Sequence, residues 1–225
     1  MKDKKIHLFI AGDSTAAACP AFEAPMAGWG QVLQEFFSDK VEVCNEAMGG
    51  RSSNSFIEEG RLLSISEKIQ PDDFLFIQFG HNDQKSYGTE PYSTYQACLA
   101  EYVALAHKKR AFPLFLTSVN RRKFGEDGKL LDTLGDYPDA MRQIANKLNV
   151  PLIDMHAKTK RLYEAYGPEK SKELFVWLHA GEHPNYPSGI QDDTHFCKLG
   201  ALEICRLVIE GIKELQLELG IYTKL

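Results

Sequence analysis

Ile6-His7-Leu8-Phe9-Ile10-Ala11-Gly12-Asp13-Ser14-Thr15 runs an apolar segment straight into a small polar turn. The near-continuous hydrophobicity of Ile6–Ala11 suits a strand buried on both faces, as in a parallel sheet. Four further runs share that character: Val41–Cys44, Phe74–Phe79, Pro113–Thr117 and Pro151–Ile153. Between and after them the apolar spacing predicts helices over Gly30–Phe37, Ser53–Lys68, Tyr92–Arg110, Tyr137–Leu148 and Ala157–Tyr166. A last helix is expected over about Leu199–Leu219, with apolar positions at Leu202, Cys205, Leu207, Ile209, Ile212 and Leu215. Strands alternating with helices imply an α/β fold, a three-layer α/β/α sandwich around a five-stranded parallel sheet with right-handed crossovers. Ligands in such sheets bind at the carboxyl ends of the strands.

Three polar motifs follow the first three runs at those ends: Gly12-Asp13-Ser14-Thr15, Gly49-Gly50-Arg51-Ser52 and Gly80-His81-Asn82-Asp83. A fourth, Asp192-Asp193-Thr194-His195, sits in the long segment before the last helix. Ser14 taken alone reads equally well as a turn or capping serine. A serine hydroxyl becomes a nucleophile only beside a base, and the base needs a third group to fix its tautomer. His195 supplies an imidazole, and Asp192, three residues earlier, a carboxylate able to project to the same place. Asp193 is the rival orienter. Gly50, through its backbone N–H, and Asn82, through its side-chain amide, are candidates for holding an oxyanion together with the Ser14 N–H. Each of the two is also an ordinary turn residue. The nucleophile elbow Gly-x-Ser-x-Gly is absent, because Ala16 stands two residues after Ser14.

Composition narrows the classes. The chain has 225 residues, a length that favours one domain over 1–225, and its 31 acidic and 26 basic residues leave a formal charge of −5. No overall basic field exists for nucleic acid or an anionic membrane. No apolar span reaches the length of a membrane helix. Five cysteines (Cys19, Cys44, Cys98, Cys197 and Cys205) form no C-x-x-C pair, and their odd number speaks for reduced thiols. Met1-Lys2-Asp3-Lys4-Lys5 passes directly into the first apolar run, which is too short for a signal peptide. The cytoplasm is the expected location. Neither Gly-x-Gly-x-x-Gly nor a P-loop occurs, which disfavours nucleotides. Nothing in the sequence sets the oligomeric state.

The remaining polar residues divide less cleanly. The long loops Ser118–Gly135 and Leu178–Thr194 are expected at the active edge. Arg51, Arg121, Arg122 and Lys123 are either solvated charge or a site for a uronate carboxylate, which arginine forks suit. His81 and His179 are further candidate substrate contacts. His179 and His183 join His195 in a histidine-rich segment, yet His179-Ala-Gly-Glu-His183 is not H-E-x-x-H, so no metal or other cofactor is expected. Trp29, Tyr87, Tyr92, Trp177 and Tyr186 could offer faces to sugar rings; most such aromatics are simply packed.

Ser14, Gly50, Asn82 and His195, in this order and across nearly the whole chain, resemble the signature of the SGNH (GDSL-type) hydrolase superfamily. More narrowly, Gly12-Asp13-Ser14-Thr15, Gly50-Arg51-Ser52, Gly80-His81-Asn82-Asp83 and Asp192-x-Thr194-His195-Phe196 resemble the rhamnogalacturonan acetylesterase family. The resemblance implies a flavodoxin-like sandwich and a metal-free serine esterase that removes acetyl groups from pectin-derived oligosaccharides through an acetyl-enzyme. The competing readings are a lipase or thioesterase of the same superfamily, a metal-dependent sugar deacetylase, and a silent carbohydrate-binding domain.

Overall fold

The computed structural model describes residues 4–224; Met1–Asp3, the charged start read above, and Leu225 lie outside the described residues. Five parallel strands form the centre: β1 (Ile6–Gly12), β2 (Val41–Asn45), β3 (Phe74–Gln78), β4 (Phe112–Leu116) and β5 (Leu152–Ile153), in the order β2-β1-β3-β4-β5. β1 pairs with both β2 and β3, with Ile10 opposite Asn45 on one side and Phe76 on the other. Its alternate side chains divide between two cores. Leu8 and Ile10 join Phe76, Leu114 and Leu116 on one face, whereas Phe9 and Ala11 join Leu75, Ile77 and Phe115 on the other.

Helices cover both faces. α1 (Trp29–Val32) packs with α7 (Lys198–Glu214), and α7 with α6 (Met155–Lys170). The opposite layer holds α2 (Ser53–Glu58), α3 (Arg61–Lys68), α4 (Gln96–Lys108) and α5 (Tyr137–Leu148). The expected layers and all five central strands are therefore present.

Several boundaries differ from the sequence reading. Ser53–Lys68 is two helices, because Gly60 takes φ +74° and turns the chain between them. Gly30–Phe37 is one turn of α1 followed by a tighter turn over Leu33–Phe36, and Tyr92 falls in a wide turn (Pro91–Tyr95) ahead of α4. α6 starts earlier than Ala157, capped by the Asp154 side chain, and bends at Gly167, while α7 stops at Glu214. The larger correction concerns Leu178–Thr194. Only its middle is a loop: β6 (Phe175–Leu178) and β7 (Ile190–Phe196) form an antiparallel hairpin outside the central sheet, with Leu178 opposite Ile190. Asp192 and His195 thus stand on a strand. Ser118–Gly135 is the expected loop, pinched by a bridge between Phe124 and Leu130.

Candidate active site

Asp13 shapes the turn that carries Ser14. Its carboxylate is fully buried and accepts from the Thr15 N–H (2.9 Å) and the Thr15 hydroxyl (2.8 Å), while its backbone carbonyl accepts from the N–H groups of Ala16 and Ala17. The Gln78 amide donates to the Thr15 hydroxyl and accepts from the Trp29 indole at 2.7 Å, so the turn is bolted to β3 and α1. Ser14 is left at the carboxyl end of β1 with its hydroxyl directed outward to His195.

His195 Nε2 lies 2.9 Å from Ser14 Oγ, and His195 Nδ1 lies 2.7 Å from Asp192 Oδ2. The second Asp192 oxygen accepts from the backbone N–H groups of Thr194 (2.7 Å) and His195 (2.9 Å), closing the turn that aims the carboxylate at the ring. Burial opposes a positive charge on His195, but the Asp192 hydrogen bond and charge outweigh it and hold the imidazole above its usual value of 6.5. Burial likewise opposes ionised Asp192, and the hydrogen bond and charge of His195, followed by the two N–H groups, bring it below the usual carboxylate range. Asp193, the rival orienter, points the other way: it accepts from Arg122 and from the Trp177 indole. With a proton on Nδ1, this geometry leaves the Nε2 lone pair free to take the Ser14 proton.

The oxyanion candidates arrive on two other strand ends. Gly50 turns with φ +79° after β2, and beside it Gly49 faces Ser14, where an added Cβ would come into ordinary contact with the Ser14 Cβ. The Asn82 amide, after β3, donates one hydrogen to Arg51 O at 3.0 Å, which ties the two loops together; its NH₂ carries a second hydrogen. Behind Asn82 the buried Asp83 carboxylate accepts from Ser53 N and Oγ and from Thr89 Oγ1, anchoring the start of α2. Burial pushes Asp83 up to about 6, against the pull of those donors. The role of Asp83 was not read from the sequence, although its place beside Asn82 was on view.

Ser14 and His195 open onto a cleft of about 800 Å³, large enough for a sugar residue. Ala17, Met26, Met48 and Ile190 give it apolar walls, with Glu23 and Tyr186 as polar members. Of the aromatics that could face a sugar ring, Tyr186 lines this cleft; Arg51, His81, Arg121, Arg122 and His179 do not. His81 is 4% exposed, with Nδ1 3.2 Å from Asp13 Oδ2: it belongs to the support of the Ser14 turn. Arg51 is engaged by Glu59 and by Gly49 O. Arg121 is half-buried and donates to Thr133 O; burial lowers its pKa against the pull of Asp13. Arg122 is buried against Asp193. His179 lines a different cleft, beside Trp177, Lys172 and Gln191. Among the described residues no three His, Cys, Asp or Glu side chains converge as a metal site.

A serine aligned with a histidine and a carboxylate, at the strand ends of a parallel sheet, is the arrangement of a serine hydrolase. A model of the GDSL-like Lipase/Acylhydrolase family matches residues 10–195, and the chain belongs to that family. Among curated relatives it is 59% identical to rhamnogalacturonan acetylesterase RhgT of Bacillus subtilis (strain 168), over 97% of this chain and 94% of that protein. It is 42% identical to the probable rhamnogalacturonan acetylesterase YesY of the same organism, over 95% of each. The fold recurs in the crystal structure of YxiM from Bacillus subtilis, with TM-score 0.82 and 23% identity over 96% of this chain; the chain spans 58% of that longer protein. It also recurs in the acetylxylan esterase Axe2 from Geobacillus stearothermophilus, with TM-score 0.65 and 17% identity over 94% of this chain and 96% of that one.

Proposed function

We propose that residues 1–225 act as one catalytic domain, a carbohydrate acetylesterase working on rhamnogalacturonan-derived oligosaccharides. The observation that carries the chemistry is the aligned chain Ser14 Oγ, His195 Nε2, His195 Nδ1, Asp192 Oδ2, with links of 2.9 and 2.7 Å. The high identity to a rhamnogalacturonan acetylesterase along the chain supports the substrate class.

The reaction runs in two halves. Ser14 Oγ attacks the acetyl carbonyl carbon as its proton passes to His195 Nε2. The resulting imidazolium is held by Asp192. The carbonyl oxygen becomes an oxyanion that meets the N–H groups of Ser14 and Gly50 and the free hydrogen of the Asn82 amide. Collapse of the tetrahedral intermediate breaks the ester C–O bond, and His195 returns the proton to the departing sugar hydroxyl. Water then attacks the acetyl-enzyme, with His195 again as base, and releases acetate and Ser14. In this proposal the nucleophile of the first half, the base and the oxyanion donors all come from the protein, and water enters only to hydrolyse the acetyl-enzyme. The cleft beside Ser14 receives the sugar.

Within this proposal a uronate carboxylate reaches Arg121, which stands in the loop after β4, outside the cleft lining, and whose charge is favoured by Asp13. Arg51 is a lesser candidate because Glu59 already balances its charge. No helix among the described residues is long and apolar enough to cross a membrane. The five unbridged thiols support a reducing compartment, and the cytoplasm is the location proposed. Acetate release from acetylated rhamnogalacturonan oligosaccharides, set beside neutral acetylated xylo-oligosaccharides, tests the reading. A higher kcat/KM on the first supports it; equal efficiency on both overturns the substrate class and leaves the esterase standing.

A further inference from the structure

Among the described residues, the hairpin that carries Asp192 and His195 forms its own two-stranded sheet, with no strand partner in the central one. Its alignment with Ser14 must therefore come from side chains and a few backbone bonds. Between Gln191 and Phe196 the pairing of β7 with β6 is irregular, and there the Asp192 carboxylate turns back onto the N–H groups of Thr194 and His195 and onto the His195 ring, while the neighbouring Asp193 carboxylate turns to Arg122 and Trp177. There Arg122 Nη1 donates to Asp193 Oδ1 at 2.6 Å, and the Trp177 indole of β6 donates to the same oxygen at 2.9 Å. The Arg122 backbone N–H also donates to Asp193 O at 2.7 Å, and Nη2 to Pro168 O at 2.5 Å, just past the bend in α6. The guanidinium lies 4.7 Å from the centre of the Trp177 ring. Arg122 is 7% exposed although it sits in a loop. One side chain thus joins the loop after β4, the end of α6 and both strands of the hairpin.

We propose that Arg122 and Asp193 are positioning residues for the reaction: their ion pair fixes the hairpin so that Asp192 and His195 stay aligned with Ser14. The pair touches neither substrate nor the reacting atoms, and acts only through the placement of its neighbours on β7. An exposed ion pair would contribute little; here Asp193 is partly exposed, but the Arg122 side chain is buried, multiply bonded and braced by an aromatic ring. Its loss lets the hairpin drift, and displacement of a reacting group by about 1 Å lowers turnover by roughly 10²-fold.

The inference rests on His195 being the base, so Ser14→Ala and His195→Ala are included as controls. Arg122→Met, Arg122→Lys and Asp193→Asn are compared with wild type on a small neutral acetyl ester. Active sites are counted by fluorophosphonate titration, and kcat/KM is followed with pH. Arg122→Met is expected to lower kcat per titrated site by about 10²-fold with KM nearly unchanged. The rising limb of its profile should move to lower pH, because His195 loses part of its contact with Asp192. The sign is diagnostic: removing a nearby cation without moving the hairpin would shift that limb to higher pH. Arg122→Lys should fall between, keeping the charge and losing the fork. Should Arg122→Met not fold, Asp193→Asn carries the test, with at least a tenfold fall in kcat per site expected. Wild-type kcat per titrated site and an unmoved or upward-shifted limb would overturn the proposal, even with a lowered Tm. If Ser14→Ala or His195→Ala stays active, it is the proposed mechanism that fails.

Discussion

Asp192→Asn separates two tasks that one carboxylate performs. Oδ1 accepts from the N–H groups of Thr194 and His195, at 2.7 and 2.9 Å, and so holds the turn; Oδ2, 2.7 Å from His195 Nδ1, holds the ring. The asparagine carbonyl takes over the first task. Its NH₂ then faces Nδ1 as a donor and selects the tautomer with a bare Nδ1 and a proton on Nε2. His195 meets Ser14 Oγ with a hydrogen in place of a lone pair, and the base is lost. The expected cost is about 10³–10⁴-fold in kcat, or roughly 4–5.5 kcal/mol of barrier. Asp192→Ala loses both tasks. Two half-buried N–H groups lose a charged acceptor, which water partly replaces, for about 1–2 kcal/mol of stability. In a chain of this size that lowers Tm by roughly 2–8 °C. With nothing selecting the wrong tautomer, the alanine variant should turn over faster than the asparagine variant. Steady-state hydrolysis of 4-nitrophenyl acetate, with thermal melts of the same samples, gives both quantities. Asparagine activity within tenfold of wild type, or activity that simply follows Tm in both variants, would refute the tautomer argument.

Asn82→Ala should lower kcat by about 10²–10³-fold with a smaller change in KM if, as proposed, its second N–H meets charge that exists only in the transition state; a change confined to KM would make it a ground-state contact. The wild-type kcat/KM should rise with pH along a limb displaced above the usual histidine value of 6.5 and then level off, because Asp192 holds His195 above that value; a flat profile would exclude a histidine base. The His195–Asp192 contact also stabilises the fold. His195, with its raised pKa, contributes fully below 6.5 and loses that contribution as pH rises through its folded value; Asp192, with its lowered pKa, contributes above 3.8 and loses it in acid. Asp83 behaves oppositely to Asp192. Its folded pKa of about 6 lies above the usual 3.8, so stability falls as pH rises between those values. Asp83→Asn should flatten Tm against pH across that window; an unchanged slope would remove Asp83 as its source.

The sheet was legible because its inner strands β1 and β3 are largely buried on both faces and read as apolar runs, whereas the edge strand β2, with Glu42 exposed, shows only Val41, Val43 and Cys44; the polar turns after the first three runs stood out against them. The hairpin was hidden for the same kind of reason in reverse. β7 reads Ile190-Gln-Asp-Asp-Thr-His-Phe196, a strand spent on functional and ion-paired side chains, so alternation of hydrophobicity carries no signal there. Gly60 was visible, but a glycine inside a helical pattern does not announce φ +74°. The arginines show the limit of reasoning from charge. Arg121 and Arg122 are adjacent in sequence, yet one bonds to a loop carbonyl and the other is buried on Asp193, because consecutive side chains leave the backbone in different directions. The cleft beside Ser14 brings together Glu23, Met48 and Tyr186 from distant segments, and no local pattern marks such a surface.

Capturing the acetyl group on Ser14 addresses the proposed chemistry at its root. Wild-type protein mixed with acetylated rhamnogalacturonan oligosaccharide, quenched in acid within a turnover and digested, should yield one acetyl group on the peptide containing Ser14. In Ser14→Ala that adduct and acetate release should both vanish while the melting profile persists. An acetyl group on another residue, or steady acetate release by folded Ser14→Ala, would contradict the mechanism.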